Sequence, residues 1–259
     1  MPNELLTAMW RDATVGFIRQ RLLYSVMCGR YSLFAPREEI EMRFDAEFSF
    51  AFESRYNAAP SQDLPVITSE SPSTIQRMEW GLIPSWADNR TDHGHINARA
   101  ETLAEKRSFA EAYESRRCLV PADGFYEWVE TSGGKQPYRV ALPDDELFAM
   151  AGLYERWEPP QRQSGLGEFG ASGGDTGGEN DIVESFTIVT TEPNDAVADL
   201  HHRMAVILDP SEESTWLRGS ADDVSALLDP YDGPMRTYPV SSAVNSPAND
   251  SPELIEPVG

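Results

Sequence analysis

CLVPADGFYEWVETSGGKQPYRVALPDDELFAMAGLYERW, residues 118–157, decides the fold. It consists of short apolar runs broken by frequent turns. It reads as four strands, over 118–121, 124–130, 138–142 and 148–157. The same texture extends in both directions. Upstream, strands are expected over 27–34, 55–60, 64–67, 78–83 and 95–99. A helix is expected over 36–44, and a longer one over 101–117 carries Leu103, Phe109, Ala110 and Tyr113. Downstream, 186–190 and 204–208 read as strands, and 194–199, 211–216 and 222–228 as short helices. Regular strand–helix alternation, the mark of a parallel sheet, is missing. The expected fold is α+β. It is a β-rich single domain with a mostly antiparallel, barrel-like sheet core flanked by short helices.

Two stretches differ in texture. Residues 1–26 form an extension that fits an amphipathic helix, with Leu5, Leu6, Met9 and Trp10 at helical spacing. Acidic residues come early there and arginines interrupt the apolar stretch, so a secretion signal is not expected. The domain proper is expected over 27–258. Inside it, 158–184 (EPPQRQSGLGEFGASGGDTGGENDIVE) is rich in Gly, Ser and acid. Such a composition cannot build a core, so it reads as a disordered hairpin insertion between two strands.

The net charge is −22, and only Lys106 and Lys135 among the cations are lysines. High acidity argues against broad phosphate binding. An arginine-for-lysine surface of this kind points to a cell with high internal salt, where screening blunts self-repulsion. The positions of the arginines then carry the functional information. Two cysteines, Cys28 and Cys118, form no disulfide framework and no zinc pattern. A reducing cytoplasm fits this usage, although a single bridge between the two stays open. No run of about 20 apolar residues is present, so no membrane span is expected.

The four histidines, His93, His95, His201 and His202, make no HxxxH or HExxH pattern, and no CxxC or Walker loop occurs. No metal and no cofactor are expected. More informative are pairs two residues apart, which share a face in a strand: Cys28 with Arg30, Asn97 with Arg99, and His201 with Arg203. Converging, these segments would form a Cys/Asn/His cluster ringed by guanidinium groups. Such a cluster suits a phosphodiester-linked substrate, because arginine holds phosphate bidentately. Glu127, within Gly124-Phe125-Tyr126-Glu127-Trp128, is either an outward-facing strand residue or a carboxyl desolvated among aromatics. Desolvation would make it a usable acid or base.

Nine ordered segments carry a resemblance. They are Met27-Cys28-Gly29-Arg30-Tyr31, RYNAAPSQ at 55–62, WGLIPSWA at 80–87, INARAET at 96–102 and RRCLVPADGFYEW at 116–128. AGLYERW at 151–157, FTIVTTEPN at 186–194, HHRM at 201–204 and LIEPV at 254–258 follow. From Met27 onward the chain resembles the SRAP (SOS response-associated peptidase) family. The resemblance implies a DNA-damage enzyme that senses abasic sites in single-stranded DNA and shields them as a covalent crosslink. The implied chemistry combines a peptidase-like active site with lyase-type Schiff-base formation. An N-terminal cysteine condenses with the open-chain aldehyde to a thiazolidine. That reaction needs a thiol and a free α-amine on one residue, and an α-amine with a pKa of about 7.7–8.0 is partly neutral near neutrality.

By the same resemblance, Cys28, Asn97, Glu127 and His201 are the catalytic residues. Asn97 orients the sugar or amine, Glu127 shuttles protons, and His201 protonates the sugar oxygen during ring opening. Arg30, Arg99 and Arg203 hold the flanking phosphates, and Pro60 and Trp86 wedge or stack against bases. The plainer alternative for that last pair is a turn proline and a core tryptophan. His202 is expected to face solvent, and His93 and His95 to have no specific role. Cys118 reads as a small buried residue. Ala205 replaces the proline usual after HxRM.

The chain departs from the family at one point, since 27 residues precede Cys28. The simplest expectation is translation from Met27 followed by methionine removal. Self-cleavage before Cys28, or an extension that blocks activity, are the alternatives. The expected partner is single-stranded DNA with an abasic site, bound by a monomer. Two other functions compete. A cysteine peptidase or amidase could use Cys28 and His201 without any free α-amine. A noncovalent single-strand binder would show no preference for the lesion.

Overall fold

The computed structural model describes residues 29–90, 94–159 and 182–259. Strands β1 (Tyr31–Leu33), β2 (Glu47–Phe48), β3 (Arg55–Ala58), β4 (Asp63–Thr68) and β5 (Thr74–Trp80) come first. Next are β6 (Asn97–Arg99), β7 (Arg117–Ala122), β8 (Gly124–Thr131), β9 (Gly134–Ala141) and β10 (Phe148–Trp157). β11 (Val183–Thr191), β12 (Met204–Ala205), β13 (Ile207–Leu208) and β14 (Arg236–Pro239) follow. The helices are short: α1 (Arg37–Phe44), α2 (Ala110–Ser115), α3 (Glu213–Arg218) and α4 (Ala221–Ser225).

β10 organises the molecule. From Phe148 to Tyr154 its sequence is apolar on both faces, and it is buried along nearly its whole length, as a strand covered on both sides must be. It pairs antiparallel with β7 on one side and with β11 on the other. β7 continues antiparallel to β4, and β4 to β5. β5 then meets β11 in parallel, Trp80 opposite Phe186, and the ring of five strands closes. Gly152 lies where β10 passes between its neighbours. A Cβ there would stand 2.8 Å from Cys118 Sγ and 3.0 Å from the Thr187 carbonyl.

A second, antiparallel sheet runs β14-β9-β8-β1-β3. Tyr31 of β1 packs its ring 5.3 Å from Trp80 and so seats this sheet on the barrel. Tyr31, Trp80 and Phe186 are all at most 1% exposed, and each such ring contributes roughly 1.5–3 kcal/mol by leaving water. The corner between β7 and β8 is fixed by Asp123, which is fully buried. Its carboxylate accepts from the Ser32 hydroxyl (2.6 Å) and the amides of Phe34 (2.5 Å) and Ala35 (3.3 Å). Arg139 of β9 lies 3.4 Å away and also reaches Asp145 at 2.5 Å. Gly124 is required there, because a Cβ would come 2.7 Å from the Arg139 guanidinium. On the outer face, Tyr126 packs with Val240, Val244 and Leu254 of the C-terminal segment.

The expected α+β, barrel-like architecture is therefore the observed one. Two strands, β2 and β14, were not expected, and three expected elements take another form. The helix over 101–117 is a 3-10 turn (Ala100–Thr102) and the six-residue α2, joined by turns. Its apolar spacing is interrupted by Glu105, Lys106 and Arg107. The strand over 204–208 divides because it changes partner, from β11 at Met204–Ala205 to β10 at Ile207–Leu208. Residues 194–199 form hydrogen-bonded turns rather than a helix.

Candidate active site

The register of β8 against β1 decides what lies near Glu127. Tyr31 pairs with Phe125 and Ser32 with Gly124, and the Tyr126 amide donates to the Arg30 carbonyl at 3.0 Å. That bond sets the residue before Glu127 against Arg30, two residues after Cys28. Gly29 is buried and is bonded to Cys28, which lies outside the described residues, as does His93. Alternate strand residues share a face, so Glu127 points with Phe125 toward the barrel, away from Tyr126 and the outer cluster. At 1% exposure it is no outward-facing strand residue. A carboxylate at that depth needs partners, and His201 brings Nδ1 to 3.9 Å from Glu127 Oε2.

His201 closes the run of turns after β11, its amide donating to the Val197 carbonyl at 2.9 Å. The segment 201–203 is a bend, which corrects the idea that strand alternation aligns His201 with Arg203. The Arg203 amide instead turns back to His201 Nδ1 at 3.2 Å, because a ring nitrogen two residues away competes with an extended backbone for that donor. The Arg203 carbonyl lies at the same 3.2 Å from Nδ1. The ring thus finds a donor when Nδ1 is bare and an acceptor when it is protonated. Burial pulls this imidazole below its ordinary 6.5. Its contact with the Arg203 backbone opposes that, and the charges of His202, Arg203 and Lys135 reinforce it. His202 is exposed, as expected, with its ring 4.3 Å from that of His201.

Asn97 is half-buried on β6, which lies parallel to β11 with Asn97 opposite Ile188 and Arg99 opposite Thr190. β12, just after His201, pairs with Thr190 and Thr191 of the same strand. Asn97 and the His201 turn therefore border the C-terminal end of β11. Among the described residues no group of three or more His, Cys, Asp or Glu is arranged to hold a metal ion.

Residues 27–247 match the family model described as SOS response associated peptidase. The chain belongs to the SRAP family. The abasic site processing protein YoqW of Bacillus subtilis (strain 168) is 42% identical over 240 residues, 89% of this chain and 99% of that protein. The abasic site processing protein HMCES of Pongo abelii is 30% identical over 294 residues, 90% of this chain and 76% of its own. A crystal structure of a protein from Bacteroides thetaiotaomicron matches with a TM-score of 0.74 at 28% identity, covering 89% of this chain and 100% of that one.

The arginines of this SRAP domain have distinct settings. Arg30 donates through Nη1 to Asn57 Oδ1 (2.9 Å) and the Val244 carbonyl (2.7 Å), and through Nη2 to the Asn245 carbonyl (3.2 Å). It ties β1 and β3 to the C-terminal segment. Arg203 is 7% exposed and pairs bidentately with Glu101 while donating to the Thr190 carbonyl at 2.5 Å. Arg99 is exposed. Trp86 is 46% exposed, not a core tryptophan, and the Arg107 guanidinium lies 4.2 Å over its ring. Pro60 is half-buried in the turn after β3. Glu101, Asn57 and Asn245, the partners that fix the arginines, are not among the expected site residues. Glu101 continues the alternation Asn97, Arg99, Glu101, which was the available signal.

Cys118 is buried with a free thiol, and burial drives its pKa far above the ordinary range. It is the inert small residue expected. His95 stacks edge-on against Phe109 at 5.1 Å, beyond the β6 strand. No helix among the described residues is long and apolar enough to cross a membrane.

Proposed function

We propose that this protein captures abasic sites in single-stranded DNA covalently through Cys28, as a monomer and without a cofactor. The observation that carries this reading is the buried Glu127–His201 pair, on a strand whose neighbouring Tyr126 amide bonds the Arg30 carbonyl two residues after Cys28. The names of the SRAP relatives, abasic site processing proteins, supply the substrate class.

The chemistry requires Cys28 to carry a free α-amine, so the preceding residues must be absent from the working form. The neutral amine adds to the aldehyde carbon of the opened sugar. Loss of water gives an imine, and the thiol adds across it. A C–S bond closes the ring, the thiol proton ends on nitrogen, and one water is released overall. His201, held neutral by burial, takes the ammonium proton and returns a proton to the departing oxygen. Glu127 accepts and relays protons beside it, and Asn97 orients the sugar. Arg99 and Trp86 meet a phosphate and a base at the exposed rim, with Pro60 as a wedge. Arg30 joins the phosphate contacts by exchanging its present partners, while Arg203 stays paired with Glu101 behind the rim.

The test is a denaturing gel. Protein beginning at Cys28 is incubated with a single strand bearing one abasic site, beside Cys28→Ala and the full 259-residue chain. A shifted band only with free Cys28 supports capture. Activity that survives acetylation of the Cys28 amine would instead indicate a thiol hydrolase.

A further inference from the structure

One carboxylate near the site, half exposed and with no assigned chemistry of its own, grips an arginine of the His201 turn with both oxygens. Glu101 follows β6 directly, in the 3-10 turn Ala100–Thr102. Both its carboxylate oxygens engage Arg203, one in a very short contact with Nη1 and the other at 2.9 Å from Nη2. Nη2 also donates to the Thr190 carbonyl at 2.5 Å, and Thr190 is the β11 residue paired with Arg99 on β6 and Ala205 on β12. The guanidinium therefore fastens the end of β6, which carries Asn97, to the turn that carries His201. The backbone of the same Arg203 holds His201 Nδ1 from both its amide and its carbonyl, each at 3.2 Å.

We infer that Glu101 is the positioning residue for His201, acting through Arg203. This rests on the catalytic role proposed above for His201. Three features support it. The contact is bidentate, the geometry in which arginine and carboxylate fix one another's orientation. Arg203 is nearly buried, so an uncompensated guanidinium would be costly and would move toward solvent. And Glu101 neutralises a cation that sits beside an imidazole. The charged groups around that imidazole are Glu127 from β8, Lys135 from β9, and His202 and Arg203 from its own turn. Without Glu101 the balance shifts toward the cations, which disfavours the protonated ring.

The experiment uses Glu101→Gln, which keeps the shape and loses the charge, and Glu101→Asp, which keeps the charge on a shorter arm. The His201 imidazole is titrated by NMR in the full chain, its signal assigned with His201→Gln. The midpoint should fall by about half a unit or more in Glu101→Gln and by less in Glu101→Asp. In parallel, crosslinking of protein beginning at Cys28 to an abasic strand should slow about tenfold in Glu101→Gln at neutral pH, with the acidic limb of its pH profile displaced downward. Glu101→Asp should recover part of that rate. Thermal melting accompanies both variants, and Glu101→Asp carries the same readings at smaller amplitude if Glu101→Gln does not fold. An unmoved His201 midpoint, or a rate loss that Glu101→Asp leaves as deep as Glu101→Gln, overturns the inference. Absence of any crosslink with the unsubstituted protein beginning at Cys28 would overturn the proposed function instead, and the titration would still decide the role of Glu101.

Discussion

Replacing Asp123 by alanine tests whether the β7–β8 corner holds the site in place. The carboxylate is fully buried and serves four groups, the Ser32 hydroxyl, the amides of Phe34 and Ala35, and Arg139. Breaking a buried ion pair by removing one partner costs about 3–5 kcal/mol. The stranded Phe34 amide, bonded at 2.5 Å, adds about 1–3 kcal/mol. Arg139 keeps Asp145 at 2.5 Å and the Tyr238 hydroxyl at 2.8 Å, which offsets part of the loss. The expected destabilisation is about 4 kcal/mol, on the scale of a typical domain's total stability. Asp123→Asn retains an acceptor for Ser32 and should lose about half as much. Urea unfolding followed by tryptophan fluorescence gives both numbers. Because Glu127 follows the corner by four residues, crosslinking should decline with stability in both variants. A loss below about 1 kcal/mol in Asp123→Ala would mean that the β-ladder alone holds the corner, and the reasoning would be wrong.

Gly152→Ala should cost about 1–3 kcal/mol by overpacking, and Cys118→Ala in the same chain should recover part of it, since Cys118 Sγ is the nearest atom at 2.8 Å; thermal melts of the single and double variants decide. Trp86→Ala should weaken binding to single-stranded DNA by about 1–3 kcal/mol while leaving the melting temperature nearly unchanged, as its 46% exposure requires. Arg99→Ala should lower the slope of log affinity against log salt by about one contact's worth; an unchanged slope would place the phosphate elsewhere. For His201, burial lowers the folded-state pKa, so its contribution to stability is complete above the ordinary value of 6.5. That contribution is lost as pH falls from there toward the folded value. His201→Gln should remove that part of the pH dependence in urea titrations.

Where local pattern decides structure, the sequence was readable. β10 lies where its seven-residue apolar stretch Phe148–Tyr154, followed by Glu155, Arg156 and Trp157 and bounded by turn signals, placed it. α1 and β7 to β9 agree to within a few residues. What escaped depended on partners far away in the chain. The two-residue β2 and the polar β14 exist because β5 and β9 offer edges to them. Barrel closure depends on a parallel register between β5 and β11 that no local pattern encodes. In the site, the depth of Glu127 and its approach to His201 follow from packing the two sheets, whereas its place on a strand was visible. The bend at His201 was hidden because a ring nitrogen, not the backbone, claims the Arg203 amide. Two strings inside 158–184 show the reverse hazard. GLGEFG at 165–170 and GASGG at 170–174 satisfy the spacings of a dinucleotide loop and a nucleophile elbow. They fall in a low-complexity stretch whose sequence offers neither the strand nor the helix those motifs need.

The parallel seam between β5 and β11 also bears on how the chain is made. β4, β5 and β7 leave the ribosome well before β11 does, and Trp80, fully buried in the finished barrel, has no Phe186 to stack on until then. For that interval the Glu79–Trp80 end of β5, beyond the part that β2 covers, has no strand beside it, the condition under which nascent strands recruit the wrong neighbour. The last stave of the barrel arrives late, so closure of the ring waits on a pairing between residues about a hundred positions apart, the kind of contact that folds slowly.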